Sequence, residues 1–342
     1  MPVDPFEPID VGRTGLTTTR LGLGGASIGG LFRPVHDRDA VALVDHAWSM
    51  GVRSFDVAPL YGYGNGERRM GAALAARPRD EFVLSTKVGR LVRARADLAP
   101  GADIDRQSDG SRDDAYYTDI DGRAMVYDYS ADGVRRSLEE SLQRMGLSRV
   151  DIVYIHDPDD HWDDAMSGAY PELERMRAEG TVGAIGAGMN QAAMLSRFVA
   201  ETDIDIVMIA GRYTLLDHDA LLDLLPRCAA KGVAVMVVGV MNSGVLADPR
   251  SGAHFDYLPA PDPVVARVRR IAAVCDRYDV PVRAAAIQFP LAHPAVTGLI
   301  AGVRTAVHLD DYPSAMRLSI PAALWDDLRS EGLIPAEAPV PS

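Results

Sequence analysis

Eight short β-rich stretches recur along the chain, each followed by a run with the length and periodicity of an amphipathic helix. They are RLGLGGAS (20–27), SFDVAP (54–59), FVLSTKVG (82–89), VDIVYIHD (150–157), VGAIGAGM (182–189), IDIVMIAG (204–211), AVMVVGVM (234–241) and VTGLIAG (296–302). They read apolar nearly throughout, the pattern of strands covered on both faces, as in a parallel sheet. Helix candidates between them, DRDAVALVDHAWSMG, DGVRRSLEESLQRMG and HDALLDLLPRCAAKG, carry apolar residues at i, i+3 and i+4 and finish in Gly, a common residue just past a helix end. No Pro-, Gly- or Ser-rich linker divides the repeat. Eight strand–helix units predict an α/β fold, a (β/α)8 TIM barrel rather than an open sheet, forming one domain over residues 1–342.

Two segments break the alternation. IDVGRTGLTTTR, residues 9–20, reads as an N-terminal hairpin closing the bottom of the barrel. Residues 91–130 are long, polar and rich in Asp, Arg and Gly, and follow the third strand, so they are expected to form a loop or flap on the active-site face. A second helical stretch, 262–292, precedes the eighth strand, and further helices are expected over 305–331.

Bulk properties exclude several classes of function. A formal charge of -13 disfavours a surface for nucleic acid or anionic membrane, because phosphate binding needs clustered Lys and Arg. The N-terminal MPVDPFEPIDVG lacks a basic segment followed by an apolar core, and no later stretch reaches the length of a membrane span, so a cytoplasmic protein is expected. Cys228 and Cys275 lie in helical-looking runs and suggest packing, with neither a disulfide framework nor a metal site.

On such a barrel, polar residues at the carboxyl ends of strands project into the mouth. Asp56 ends the second strand, Tyr61 opens its loop, Lys87 lies near the end of the third and His156 near the end of the fourth. Singly, each could be a turn residue or a satisfied buried polar group; together they converge on one pocket. The glycines around Tyr61 do not make a dinucleotide-binding loop, since Gly62, Gly64 and Gly66 miss the G-x-G-x-x-G spacing. A lysine ammonium beside the tyrosine would favour the phenolate and lower a pKa that is otherwise about 10. Asp56 would keep that ammonium charged, and His156 would orient the reacting oxygen. An acid/base tyrosine without a nucleophile or metal suits carbonyl and alcohol interconversion, with a cofactor carrying the hydride.

The run D-x-A-x-x-Y-G-x-G-x-x-E-x-x-x-G, here Asp56, Ala58, Tyr61, Gly62, Gly64, Glu67 and Gly71, resembles the signature of the aldo-keto reductases, and STK at Lys87 and IHD at His156 agree. The resemblance covers nearly the whole chain. It implies a (β/α)8 barrel without bound metal, an extended nicotinamide cofactor across the mouth, and a catalytic tetrad of Asp56, Tyr61, Lys87 and His156. DYSADGVRRSLEESLQRMGLSRVDIVYIHD, AGRYTLLD, NSGVLA and QFPLAHPAV resemble the branch whose members oxidise L-fucose or other D-threo-aldoses at the anomeric carbon, or pyridoxal.

The same resemblance implies the remaining contacts. Asn190 fits a carboxamide-holding pair only with one extra residue, Ala210 stands where a Gln is expected, and Val238 replaces a ring-stacking aromatic. Tyr213 and Val240 are further cofactor candidates, and Asn242, Ser243, Gly244 and Leu246 resemble the loop over the pyrophosphate. IAGVRTAVHLDDY resembles the adenosine-phosphate site, where Gly302 and His308 occupy positions that carry Lys and Arg in NADP-preferring members. With Asp311 beside them, NAD is expected over NADP, and Arg304 remains able to reach a phosphate. Tyr63, Asp157 and Trp162 are substrate-contact candidates, Trp162 having a loop-packing role as its alternative. The implied partner is a small molecule, a sugar or pyridoxal-like hemiacetal or an aldehyde, with a homo-oligomer possible. A general aldehyde or ketone reductase, a Schiff-base aldolase using Lys87 and a non-catalytic cofactor-sensing subunit are the competing classes.

Overall fold

The computed structural model describes residues 3–105, 117, 118, 120, 122–248 and 253–341. Eight parallel strands close a barrel: β1 (Leu21–Gly24), β2 (Ser54–Asp56), β3 (Val83–Val88), β4 (Ile152–His156), β5 (Ala184–Met189), β6 (Ile206–Ala210), β7 (Ala234–Val238) and β8 (Val296–Ala301). Each pairs with its sequence neighbours, and β8 returns to β1 through Leu299↔Leu21. The β6 sequence shows why the strands read apolar throughout. Ile206 and Met208 belong to the same buried cluster as Val83, Ile152, Tyr154 and Met236, whereas Val207 and Ile209 join the larger cluster shared with the helices.

Helices α1 (Asp37–Met50), α2 (Asn65–Leu74), α3 (Ala131–Met145), α4 (Tyr170–Ala178), α5 (Ala192–Glu201), α6 (Leu224–Lys231), α7 (Asp262–Asp276), α8 (Val282–Leu291), α9 (Ala306–Arg317) and α10 (Ala322–Ser330) accompany the strands. Gly51, Gly146 and Gly232 take the left-handed conformation just past α1, α3 and α6, as the sequence reading expects. Two helical expectations need correction. The stretch HDALLDLLPRCAAKG is helical only from Leu224, which leaves Pro226 in the first turn, where its missing N–H breaks no intrahelical hydrogen bond. The 262–292 stretch is two helices, the second starting after Pro281.

The hairpin pairs Pro8–Asp10 with Thr17–Thr19, and Val11 from its turn joins the barrel-interior cluster, plugging the amino-terminal end. Within the segment expected as a loop, Arg90–Ala94 and Arg123–Tyr127 form an antiparallel ribbon; residues 106–116 lie outside the described part. Cys228 and Cys275 are buried, and burial pushes their thiols up to about 12 and about 11, consistent with packing.

Candidate active site

Strand register brings the tetrad together. Asp56 closes β2 opposite Gly24 of β1 and Ser85 of β3, Lys87 lies opposite Tyr154 of β4, and His156 ends β4 opposite Gly188. The Lys87 Nζ donates to both Asp56 oxygens, at 2.7 and 2.9 Å, and to the Val57 carbonyl at 3.1 Å. Ser85 Oγ donates to Asp56 Oδ1 at 2.7 Å, so both ionic groups are tied although their side chains are only 2% and 3% exposed. The ammonium sits 4.6 Å from the centre of the Tyr61 ring, and the His156 ring meets that ring edge-on at 6.0 Å.

Three features of the Tyr61 motif hold this arrangement. Gly62, at φ 64°, packs so tightly on the β1 loop that a Cβ would lie 1.9 Å from the Gly29 carbonyl oxygen. Glu67 is fully buried and accepts from Arg144 Nε at 2.6 Å and Thr86 Oγ1 at 3.0 Å, fastening α2 to α3 and β3. Gly71 lets α2 cross α3, since a Cβ there would meet the Met145 carbonyl oxygen at 2.0 Å.

The electrostatics differ from the sequence expectation at Tyr61. Burial first, and then the Asp56 carboxylate, push the phenol well above 10, because Asp56 answers the Lys87 charge that was expected to lower it. Burial, followed by the Arg90 and Lys87 charges, pulls His156 well below 6.5, so the imidazole is neutral. Its Nδ1 is buried without a hydrogen-bond partner among the described residues, while Nε2 lies 3.4 Å from Asp157.

The other candidates fall into two groups. Asp157, at φ 39°, stands beside His156 at the rim of the mouth. Tyr61 is flanked by Tyr117 from the long segment at 6.3 Å, and the β1 and β7 loops meet where Phe32 packs on His254 and Tyr257 at 5.6 and 6.2 Å. Tyr63, by contrast, is buried in the cluster of Leu60, Tyr117 and Met125, and its carbonyl accepts from Arg123. Trp162 packs on Phe198 of α5 with the Arg197 guanidinium 3.8 Å above its ring, the arrangement of a packing anchor. Tyr213 is buried against Phe289 and His293 on the helix-facing side of the barrel.

Residues after β7 and β8 fit an extended dinucleotide. Asn242, Ser243 and Gly244 have φ of 44°, 58° and 102°, and the space beside Gly244 is open, as an approaching phosphate requires. Asn242 Nδ2 donates to the Gly211 carbonyl at 3.0 Å, and its buried Oδ1 has no partner among the described residues, an acceptor ready for a carboxamide or ribose donor. Val240 and Leu246 are buried beneath this turn, Asn190 is half-buried after β5, and Ser243 Oγ accepts from the Tyr257 N–H. Arg304 donates to the Leu31 carbonyl at 2.8 Å, and burial together with the neighbouring Arg33 holds its pKa below the usual arginine value. Two arginine charges thus stand close together, so an anion would be welcome there. Gly302 faces open space and His308 is exposed on the first turn of α9, whereas the Asp311 carboxylate is already paired with Arg283.

The sequence reading missed the layer behind the tetrad: Ser85, Arg90, Asp105 and Tyr129. Arg90 Nε donates to Asp105 at 2.7 Å, and Tyr129 OH donates to the His156 and Asp157 carbonyls at 2.6 and 2.9 Å. Arg90 and Asp105 lie in or beside Asp- and Arg-rich sequence and carry no spacing signal that would separate them from solvated charges.

Comparison with known proteins agrees with this architecture. The family model described as "Aldo/keto reductase family" matches residues 20–330. A D-threo-aldose 1-dehydrogenase from a Pseudomonas species is 42% identical over 324 residues, covering 94% of this chain and 96% of that protein. A pyridoxal 4-dehydrogenase from Microbacterium luteolum is 41% identical over 338 residues, with 95% and 97% covered. A holo-form aldo-keto reductase structure from Bacillus halodurans shares the fold, with a TM-score of 0.74 at 20% identity over 98% of both chains. A barrel carrying Asp56, Tyr61, Lys87 and His156 at its mouth, matched along nearly its full length, therefore identifies this chain as a member of the aldo/keto reductase family, an oxidoreductase that works with a nicotinamide cofactor.

Proposed function

We propose that the chain is an NAD-preferring dehydrogenase that oxidises the anomeric carbon of a cyclic aldose, such as L-fucose or another D-threo-aldose, to the lactone. The observation that carries this reading is the buried Lys87–Asp56 pair beneath the Tyr61 ring with a neutral imidazole at its edge. The full-length similarity to an aldose 1-dehydrogenase supports the substrate class.

Each side chain has one task. Tyr61 exchanges the proton of the reacting hydroxyl, taking it in oxidation and returning it in reduction. His156, being neutral, hydrogen-bonds the reacting oxygen without adding a charge. Asp56 and Ser85 hold Lys87 in place, and Lys87 supports the developing phenolate through the ring face. The bound nicotinamide supplies the hydride-accepting chemistry; Asn190, Asn242, Gly244 and Arg304 are the residues proposed to hold the cofactor, with Ser243, Val240 and Leu246 shaping that turn. An open Gly302 and an exposed His308, in place of a Lys and Arg pair, favour NAD.

Oxidation of pyridoxal, which also closes into a hemiacetal, has equal support from similarity and is the second reading. A Schiff-base role for Lys87 fits poorly, because its nitrogen is engaged by both oxygens of Asp56. The test is a panel of aldoses, pyridoxal and simple aldehydes with NAD and NADP, following reduced-cofactor absorbance. Turnover of pyridoxal alone selects the second reading, and no turnover on any of them refutes both. In Tyr61→Phe, kcat is expected to fall about 10²–10⁴-fold with cofactor binding retained; unchanged kcat rejects Tyr61 as the acid/base group.

A further inference from the structure

Behind His156 lies a charged network that the tetrad does not explain. Arg90, at the root of the β-ribbon, is 5% exposed, yet it serves three partners: Asp105 at 2.7 Å, the His156 carbonyl at 3.1 Å and Asp157 Oδ2 at 3.5 Å. Its guanidinium also lies 5.0 Å from the centre of the Tyr127 ring. Tyr129 OH donates to the carbonyls of both His156 and Asp157, spanning the same turn from α3's side. The turn itself is unusual, because Asp157 has φ 39°, a region that non-glycine residues rarely occupy and that Asp and Asn tolerate best. Two side chains, Arg90 and Tyr129, thus place four hydrogen bonds on a turn with a disfavoured backbone conformation, and the Asp157 carboxylate ends 3.4 Å from His156 Nε2.

We propose that Arg90 is a positioning residue that, with Asp105 and Tyr129, locks this turn so that the Asp157 carboxylate stands beside His156 and accepts a hydroxyl of the substrate next to the reacting carbon. The inference rests on the site described above and deepens it by naming what selects polyhydroxylated substrates. A carboxylate oxygen accepts two hydroxyl hydrogens and donates none, so it distinguishes a sugar from a bare aldehyde. Arg90 engages only one Asp157 oxygen, and at long range, so the carboxylate keeps acceptor capacity toward the mouth. Arg90 is the nearer of the two cationic groups that oppose the carboxylate's burial, Lys87 being the other.

The network also fixes a pH response. Burial raises the Asp157 carboxyl to about 6, Arg90 and Lys87 oppose the rise, and Asp159 and Asp105 add to it. His156 and the phenols of Tyr61, Tyr117 and Tyr129 complete its titratable surroundings. The carboxylate is therefore charged above about pH 6 and loses its acceptor charge as pH falls through that value.

Asp157→Asn keeps shape and tolerates the left-handed backbone, so it tests the charge. For a hydroxylated substrate, kcat/KM is expected to fall roughly tenfold to a hundredfold, the size of a charge-assisted hydrogen bond, mainly through KM. The acid limb of its pH profile should vanish, and the loss should be smaller for a simple aldehyde, which offers no hydroxyl to the carboxylate. The double variant Arg90→Met/Asp105→Leu removes both buried charges without orphaning either, and should move that limb to higher pH. Nitrogen-15 NMR of His156, assigned with His156→Gln, reads the same coupling without turnover. The ring should report a titration near pH 6 that is lost in Asp157→Asn and displaced upward in the double variant. Unchanged kcat/KM in Asp157→Asn, or a His156 signal indifferent to residue 157, overturns the proposal. A chain that shows the NMR coupling but turns over no hydroxylated substrate would overturn the dehydrogenase reading and leave the Arg90–Asp157 positioning intact.

Discussion

Replacing Lys87 by Met separates stability from chemistry. The substitution removes two hydrogen bonds to Asp56, at 2.7 and 2.9 Å, and leaves a carboxylate with 3% side-chain exposure holding only the Ser85 hydroxyl. Breaking a buried pair by deleting one partner costs about 3–5 kcal/mol, because the remaining charge is neither solvated nor answered. The methylenes of Met fill most of the vacated space, so a cavity contributes little. The double variant Lys87→Met/Asp56→Leu removes the stranded charge and should recover most of that loss, since apolar replacements of buried pairs are often neutral or stabilising. Neither variant should turn over substrate. Urea unfolding followed by circular dichroism gives the stability, and reduced-cofactor absorbance gives the activity. A cost under about 1 kcal/mol for the single variant would mean that water reaches Asp56. A double variant no more stable than the single one would mean that packing, rather than charge, set the cost.

Three further outcomes follow from the geometry. Because burial and Asp56 hold the Tyr61 phenol well above 10, the proton-donating form persists across neutral pH; kcat for reduction should stay flat there, while kcat for oxidation should climb steadily into the alkaline range. A pH-independent oxidation rate would contradict the assignment of Tyr61. Arg304→Met should weaken NAD and NADP binding by a similar factor, about tenfold, if it meets a phosphate common to both. A loss confined to NADP in fluorescence titrations would place the 2′-phosphate there and reverse the NAD preference. Glu67→Gln should lower stability by about 1.5–3 kcal/mol by weakening its bonds to Arg144 and Thr86, with kcat per folded molecule unchanged.

The barrel was legible in the sequence because burial on both faces imposes a local signature. Runs such as IVMIA at β6 must be apolar at successive positions, and the run's length excludes little else. Asp56, Tyr61, Lys87 and His156 were legible for a related reason: polar side chains at equivalent strand ends have no purpose in a packed barrel except at its mouth. Pro226 and Pro281 set helix starts that the apolar periodicity alone overran, since i, i+3 spacing does not show where a backbone N–H is missing.

What needed tertiary structure was the sign of electrostatic effects and the company each polar residue keeps. The sequence places Lys87 near Tyr61 with Asp56 as its partner, but only the fold shows the phenol rising instead of falling. It offers Tyr63, Trp162 and Tyr213 as plausible contacts, and only packing shows them turned into buried clusters. It hides Arg90 and Asp105 among surface-like charges fifteen residues apart, and only the ribbon together with the Ile104–Val126 bridge brings them to 2.7 Å beneath the mouth. Composition and periodicity record which surfaces must leave water, a property of each segment by itself. Desolvation and Coulomb terms depend on distances between segments, so they exist only once the barrel has closed.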